Sequence, residues 1–193
     1  MKKLKLLIII LFLFQSSSLF ARLPFYIRLD AGISQASGDG SEIWNAGYNI
    51  GLNIFIDLNK KLFAGIRASY SEMLLNDSEY KNTAGLSSST TVSGSFLAFE
   101  GGPYLRYYLY REFDSNFHPF IQFGASLYYS KIEINIDGST YDYDETNPGL
   151  KMGLGILLGQ LGGVQIEIFP YYQLLFAKDR TFNYFSANIG ILF

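Results

Sequence analysis

The chain has 193 residues and a formal net charge of −2; 17% of the residues are charged and 17% are aromatic. The absence of cysteine excludes a disulfide framework and a thiolate metal site. The mildly acidic balance offers no electrostatic basis for holding nucleic acid, so no nucleic-acid partner is expected.

Residues 1–21, "MKKLKLLIIILFLFQSSSLFA", read as a secretory signal peptide: three lysines, an apolar run over 6–14, then polar residues and a small Ala21. The apolar run is well short of the ~20 residues of a spanning helix. Cleavage is expected after Ala21, with Ser18 as the alternative. Residues 22–193 then form one domain. Loss of Lys2, Lys3 and Lys5 moves the net charge from −2 to −5. The longest later apolar stretch, "LKMGLGILLGQLGGV" (150–164), holds a lysine, a glutamine and five glycines, which excludes a transmembrane helix there.

From residue 25 onward the apolar side chains recur with period two, the signature of strands with one oily face. The first run, 25–33, places Phe25, Ile27, Leu29, Ala31 and Ile33 on one face, with Tyr26, Arg28, Asp30 and Gly32 on the other. The pattern returns over 48–56, 62–70, 97–109, 121–129, 150–158, 164–174 and 185–193, giving eight predicted strands. None of their apolar faces carries a charge. The opposite faces carry Arg28, Asp30, Asp57, Arg67, Glu100, Arg106, Lys151 and Glu167. The links 57–62, 110–119 and 159–163 are short. The links 34–47, 73–95, 130–149 and 176–183 are longer and rich in Ser, Thr, Asn, Asp and Gly, and are expected as loops.

Short turns at one end and long loops at the other are the layout of an outer-membrane barrel. The fold class expected is all-β: an eight-stranded antiparallel up-and-down transmembrane β-barrel in the cell outer membrane, with both termini on the periplasmic side. Helices and closed barrels are the structures that satisfy their backbone within lipid. Aromatic residues belong at the two interfaces: Tyr48, Tyr70, Tyr129, Tyr172 and Phe185 are placed at the outer rim, and Phe25, Tyr107 and Phe193 at the inner rim. A soluble lipocalin-like barrel would invert the faces and show water a surface of Gly, Ser, Asn, Tyr and Phe with sparse charge, which is poor for solubility. Pro103 and Pro170 fall inside strands, where proline fits badly. Gly101-Gly102 suggests a bulge at the first; the second has no explanation at this level.

The chain resembles the small eight-stranded outer-membrane barrels, the outer membrane protein beta-barrel or porin-like family. The carriers are the terminal Phe193 with Ile191, Ile189 and Phe185 spaced by parity before it, and "GGPYLRYYLY" (101–110) followed by "HPFIQFGAS" (118–126). The resemblance implies that Phe185, Ile189, Ile191 and Phe193 form the closing-strand signal read by the barrel-insertion machinery. It also implies contact with outer-membrane lipid and lipopolysaccharide.

Eight strands leave an interior that side chains can fill. Tyr26, Phe55, Phe63, Tyr104, Tyr108, Phe120, Tyr128, Phe169 and Tyr171 point inward among glycines. Buried charges must pair, so a lumen ion-pair network is expected among Arg28, Asp30, Arg67, Glu100, Arg106 and Glu167. Such a network serves either as internal packing or as a gated narrow ion path. His118, the only histidine, is read as a solvated turn residue. No catalytic residue, cofactor site or metal site is assigned, and no enzymatic activity is expected. In the segment 132–149, Asp137, Asp142, Asp144 and Glu145 are either a solvated hairpin tip or a divalent-cation bridge to lipopolysaccharide. The Ser/Thr-rich stretch 85–95 is expected as a mobile loop merging into a strand. The function expected is a non-catalytic barrel with a structural or surface-interaction role through its long loops, whose extracellular ligand is unknown. The alternative is a narrow porin-like channel.

Overall fold

The computed structural model describes residues 25–38, 41–110, 116–161, 164–177 and 181–193. The signal peptide expected at 1–21 lies outside the described residues. Eight strands form: β1 (Phe25–Ser37), β2 (Gly47–Asp57), β3 (Leu62–Leu74), β4 (Val92–Tyr108), β5 (Phe117–Ile136), β6 (Ser139–Leu161), β7 (Val164–Phe176) and β8 (Thr181–Leu192). Each pairs antiparallel with its sequence neighbours, and β8 returns to β1, closing the barrel. The face assignments hold in all eight strands. Leu29, Ile50, Ile66, Phe99, Phe123, Leu154, Ile168 and Ile189 point outward and are exposed, while Arg28, Asn49, Arg67, Glu100, Gln122, Lys151, Glu167 and Asn188 point inward and are buried.

Several expected loops are structured. The link 130–149 is a continuation of β5 and β6, joined by a two-residue turn at Asp137 (φ 48°) and Gly138 (φ 85°). Positive φ at both positions is the hairpin geometry that Asp-Gly favours. The link 73–95 holds α1 (Asp77–Ala84), capped by Asn76, whose side chain accepts from the Glu79 amide, and ended by Gly85 at φ 66°. The stretch 85–95 holds a turn over 87–90, closed by the Thr90 amide donating to the Ser87 carbonyl at 3.0 Å, followed by the start of β4. In the link 34–47, β1 runs on to Ser37, and a 3-10 turn (Ser41–Ile43) brings Trp44 to a bridge with Leu75.

Neither proline causes a bulge. Pro103 pairs with Ile66 on β3, while the β4–β5 ladder is interrupted between Gly101↔Leu127 and Tyr104↔Gly124 with no change of register. Pro170 pairs with Ala187 on β8, and the β6–β7 ladder is interrupted between Gly153↔Tyr171 and Ile156↔Ile168, again in register. A strand residue turns its N–H and C=O to one neighbour. Each proline directs its missing N–H at the interrupted side, so the barrel absorbs it as one absent rung. Gly102 makes the first gap tight: a Cβ there would lie 2.2 Å from the Ala125 carbonyl oxygen.

Two apolar layers close the interior. At the short-turn end Phe55, Phe63, Tyr104, Tyr108, Phe120, Leu157, Phe169, Tyr171 and Leu192 pack together, with Tyr26 half-buried against them. At the long-loop end Trp44, Met73, Leu75, Val92, Phe96, Tyr128, Leu175 and Tyr184 pack together. Tyr80 of α1 and Ile132, Ile134 and Ile136 of β5 rest on that layer.

Candidate functional site: a charged lumen and a projecting hairpin

The period-two alternation that sends oily side chains to lipid sends seven charged ones into the middle of the barrel, between the two apolar layers. All seven are almost wholly buried. They form one line of alternating sign. Lys151 pairs with Glu100. Glu100 lies 3.6 Å from Nε of Arg67. Arg67 donates to both oxygens of Asp30, at 2.7 and 2.9 Å. Asp30 lies 3.5 Å from Nε of Arg28. Arg28 donates to Glu167 at 2.6 Å, and Arg106 clasps both oxygens of Glu167. Each carboxylate therefore stands between two cations.

Polar neighbours tie in the remaining strands. Asn53 of β2 accepts from Arg28 at 2.9 Å and donates to Asp30 at 2.6 Å. Gln122 of β5 accepts from Arg106 at 3.2 Å, and Asn188 of β8 donates to Asp30 at 2.7 Å. Ser69 and Ser126 donate to Glu100 at 2.7 and 2.9 Å. All eight strands contribute a side chain. The line has four cations and three carboxylates, and the cations lean on ring faces. The guanidinium carbon of Arg28 is 4.2 Å from the Phe169 centroid, that of Arg106 is 4.0 Å from the Phe120 centroid, and the Lys151 nitrogen is 4.5 Å from the Tyr171 centroid. Ring quadrupoles attract such cations by roughly 2 kcal/mol when desolvated.

The structure brings together all six residues named for the network and adds Lys151, which the sequence placed on the inward face without assigning it a partner. Asp57, inward by parity, is only half-buried in the last position of β2, away from the line. His118 departs from expectation. It lies in β5, buried and facing inward, its ring edge-on to Tyr108 at 6.5 Å, because β5 begins at Phe117 and parity carries the imidazole into the lower aromatic layer. The four closing-strand residues Phe185, Ile189, Ile191 and Phe193 all lie on the outward, exposed face.

The second region is the far half of the β5–β6 hairpin. A membrane-crossing strand needs about 9–11 residues, whereas β5 has 20 and β6 has 23. The surplus rises beyond the rim. Its inner face carries Ile132, Ile134, Ile136, Tyr141 and Tyr143. Its outer face carries Lys131, Glu133, Asn135, Asp142 and Asp144. The Glu133 carboxylate 3.0 Å from the Lys131 ammonium holds the latter's pKa above its ordinary value, with Asp142 adding to the effect. Among the described residues, Asp137, Asp142, Asp144 and Glu145 do not gather into a group that could hold a metal ion.

A family model for the outer membrane protein beta-barrel domain matches residues 6–190. The chain belongs to that family. Among solved structures, Neisserial surface protein A is similar at 16% identity and a TM-score of 0.57, over 88% of this chain and 96% of that one. A major outer membrane protein of Thermus thermophilus matches at 9% identity and a TM-score of 0.50, over 88% and 98%. The attachment invasion locus protein of Yersinia pestis matches at 14% identity and a TM-score of 0.48, over 88% and 97%. At such identities the likeness concerns the fold. No curated protein sequence matches the chain. Family membership carries outer-membrane location with it and leaves activity open.

Proposed function

We propose that this barrel is non-catalytic and works at the cell surface through its long-loop end, with the lumen serving as internal packing. The observation that carries the reading is the filled interior: an alternating line of seven charges bonded to all eight strands, held between two apolar layers, beneath a hairpin that rises past the rim. Ions crossing the interior would have to separate these buried charge pairs, and breaking such a pair costs about 3–5 kcal/mol. The outward face of Leu29, Ile50, Ile66, Phe123, Leu154 and Ile189 suits acyl chains, so lipid and lipopolysaccharide are the immediate surroundings. Phe185, Ile189, Ile191 and Phe193 are proposed as the segment offered to the insertion machinery.

Two measurements test this reading. In planar bilayers the folded protein should be electrically silent; stable single-channel openings would replace it with the narrow-porin alternative. Cells displaying the full chain should be retained on a cultured epithelial layer more than cells displaying a chain in which 132–143 are removed. Equal retention would refute the surface role.

A further inference from the structure

β6 is paired on one side only over its outer half. Its ladder with β7 begins at Gly149↔Leu175, while its ladder with β5 runs on to Ile136↔Ser139. Among the described residues, the stretch 139–148 has no strand on its second side. The two-residue turn makes Ile136 and Ser139 a hydrogen-bonded pair, so residues 139, 141, 143, 145 and 147 bond to β5. The N–H and C=O groups of Thr140, Asp142, Asp144 and Thr146 therefore face outward along an open edge, and Pro148 closes its base. An edge of this kind is a template for another extended chain.

Charge decides which chain. The segment 130–147 holds Glu133, Asp137, Asp142, Asp144 and Glu145 against the single Lys131. Antiparallel pairing of two copies through this edge would set aspartates against aspartates, and like charges directly opposite are destabilising. A strand bearing lysine or arginine at alternate positions would meet Asp142 and Asp144 instead. The inner face of the hairpin offers Tyr141, 61% exposed, to the intervening side chains of that strand, which point to the opposite side. We propose that the edge Thr140–Thr146 of β6 captures an extended basic polypeptide segment by strand addition. Main-chain bonds supply the affinity and the aspartates supply the selectivity. The inference rests on the surface role proposed above and names the partner class for it.

The test uses the full chain folded in detergent micelles and, as probe, a peptide of about nine residues alternating lysine and threonine. Amide exchange at Thr140, Asp142, Asp144 and Thr146 should slow about tenfold or more when the peptide is added. The same peptide N-methylated at alternate residues should bind about tenfold more weakly or worse. Asp144→Pro, which removes an edge N–H and no main-chain bond to β5, together with the carboxylate that accepts from Tyr129 at 3.4 Å, should weaken the unmodified peptide to at least a similar degree. The N-methylated arm decides the matter without any variant, should that variant fail to fold. Absence of binding, binding without edge protection, or equal binding of the N-methylated peptide overturns the inference. So does protection produced by self-association alone or by lipopolysaccharide vesicles in place of the peptide. The inference can fail alone: if Asp144→Pro leaves retention on the epithelial layer unchanged while removal of 132–143 abolishes it, the surface role stands and the edge does not carry it.

Discussion

Charged side chains occupy two parts of this barrel under opposite conditions. In the lumen Arg28, Asp30, Arg67, Glu100, Arg106, Lys151 and Glu167 are sealed from water, and each is held by an opposite charge. On the hairpin Lys131 lies 3.0 Å from Glu133 and 3.7 Å from Asp142, with all three side chains open to solvent. The distances are alike and the consequences are not. A solvated pair is screened and contributes little, whereas removing one member of a buried pair strands the other where water cannot replace it. Similar residue types therefore hold the barrel's interior in one region and stand in water, contributing little to stability, in the other.

The contrast can be broken most severely at Glu167. Glu167→Gln leaves the guanidinium groups of Arg28 and Arg106 beside each other with no carboxylate between them. Urea unfolding of the detergent-folded protein should show a loss of about 3–5 kcal/mol; a loss no larger than that of a surface change would mean that water reaches the line. Next comes backbone spacing. Gly102→Ala drives a methyl to 2.2 Å from the Ala125 carbonyl oxygen and 2.6 Å from the Ser126 Cα, whereas Gly101→Ala, facing lipid, meets nothing within 4 Å. The first should cost about 1–3 kcal/mol and the second close to nothing, compared by unfolding midpoint. At the hairpin tip, Gly138→Ala places a Cβ at φ 85°, which costs roughly 1–2 kcal/mol locally. It should accelerate amide exchange over 132–143 and leave the barrel's heat-modifiable migration unchanged.

The smallest effect is expected at Lys131. Lys131→Met should shift the unfolding midpoint less than any destabilising change above. Because the folded-state pKa of Lys131 is raised by Glu133, whatever the pair contributes is present below the ordinary lysine value and fades as pH rises through the raised one. Midpoints measured at neutral and strongly alkaline pH, at low and high salt, check the direction and the screening.

Within the membrane the sequence was a close guide, since lipid on one side and a narrow lumen on the other force every strand into a two-way sort. The strand count, the parity of all eight runs and the inward position of Arg28 or Glu167 were legible for that reason. Above the rim the sort reverses. Lipid rewards apolar residues facing outward up to Tyr129; beyond it, Ile132, Ile134 and Ile136 face inward onto the cap while Lys131 and Glu133 face water. A reading that follows one oily face ends where that face changes sides, which is why 130–149 looked like a loop. Helix α1 carries no buried residue, so no apolar stripe announced it. The partner of Lys151 could not be read because it lies two strands away, on β4, a matter of barrel curvature rather than spacing. Pro170 becomes intelligible only once the ladder shows which neighbour lacks a rung.

The seam between β1 and β8 sets an order of events. Ile27 and Phe193 exchange main-chain bonds at 3.3 and 2.9 Å, and Arg28 through Ser37 pair with Leu192 back to Asn183. The two strands that lock the ring are thus its most distant in sequence. A nascent chain lacking residues 181–193 has two open borders, and in hydrocarbon each unsatisfied backbone group costs several kcal/mol. Such a chain cannot settle into the bilayer as it emerges. It must wait unfolded until its final segment arrives. Assembly is then a single late commitment, and a lesion in the last dozen residues forfeits every earlier strand with it.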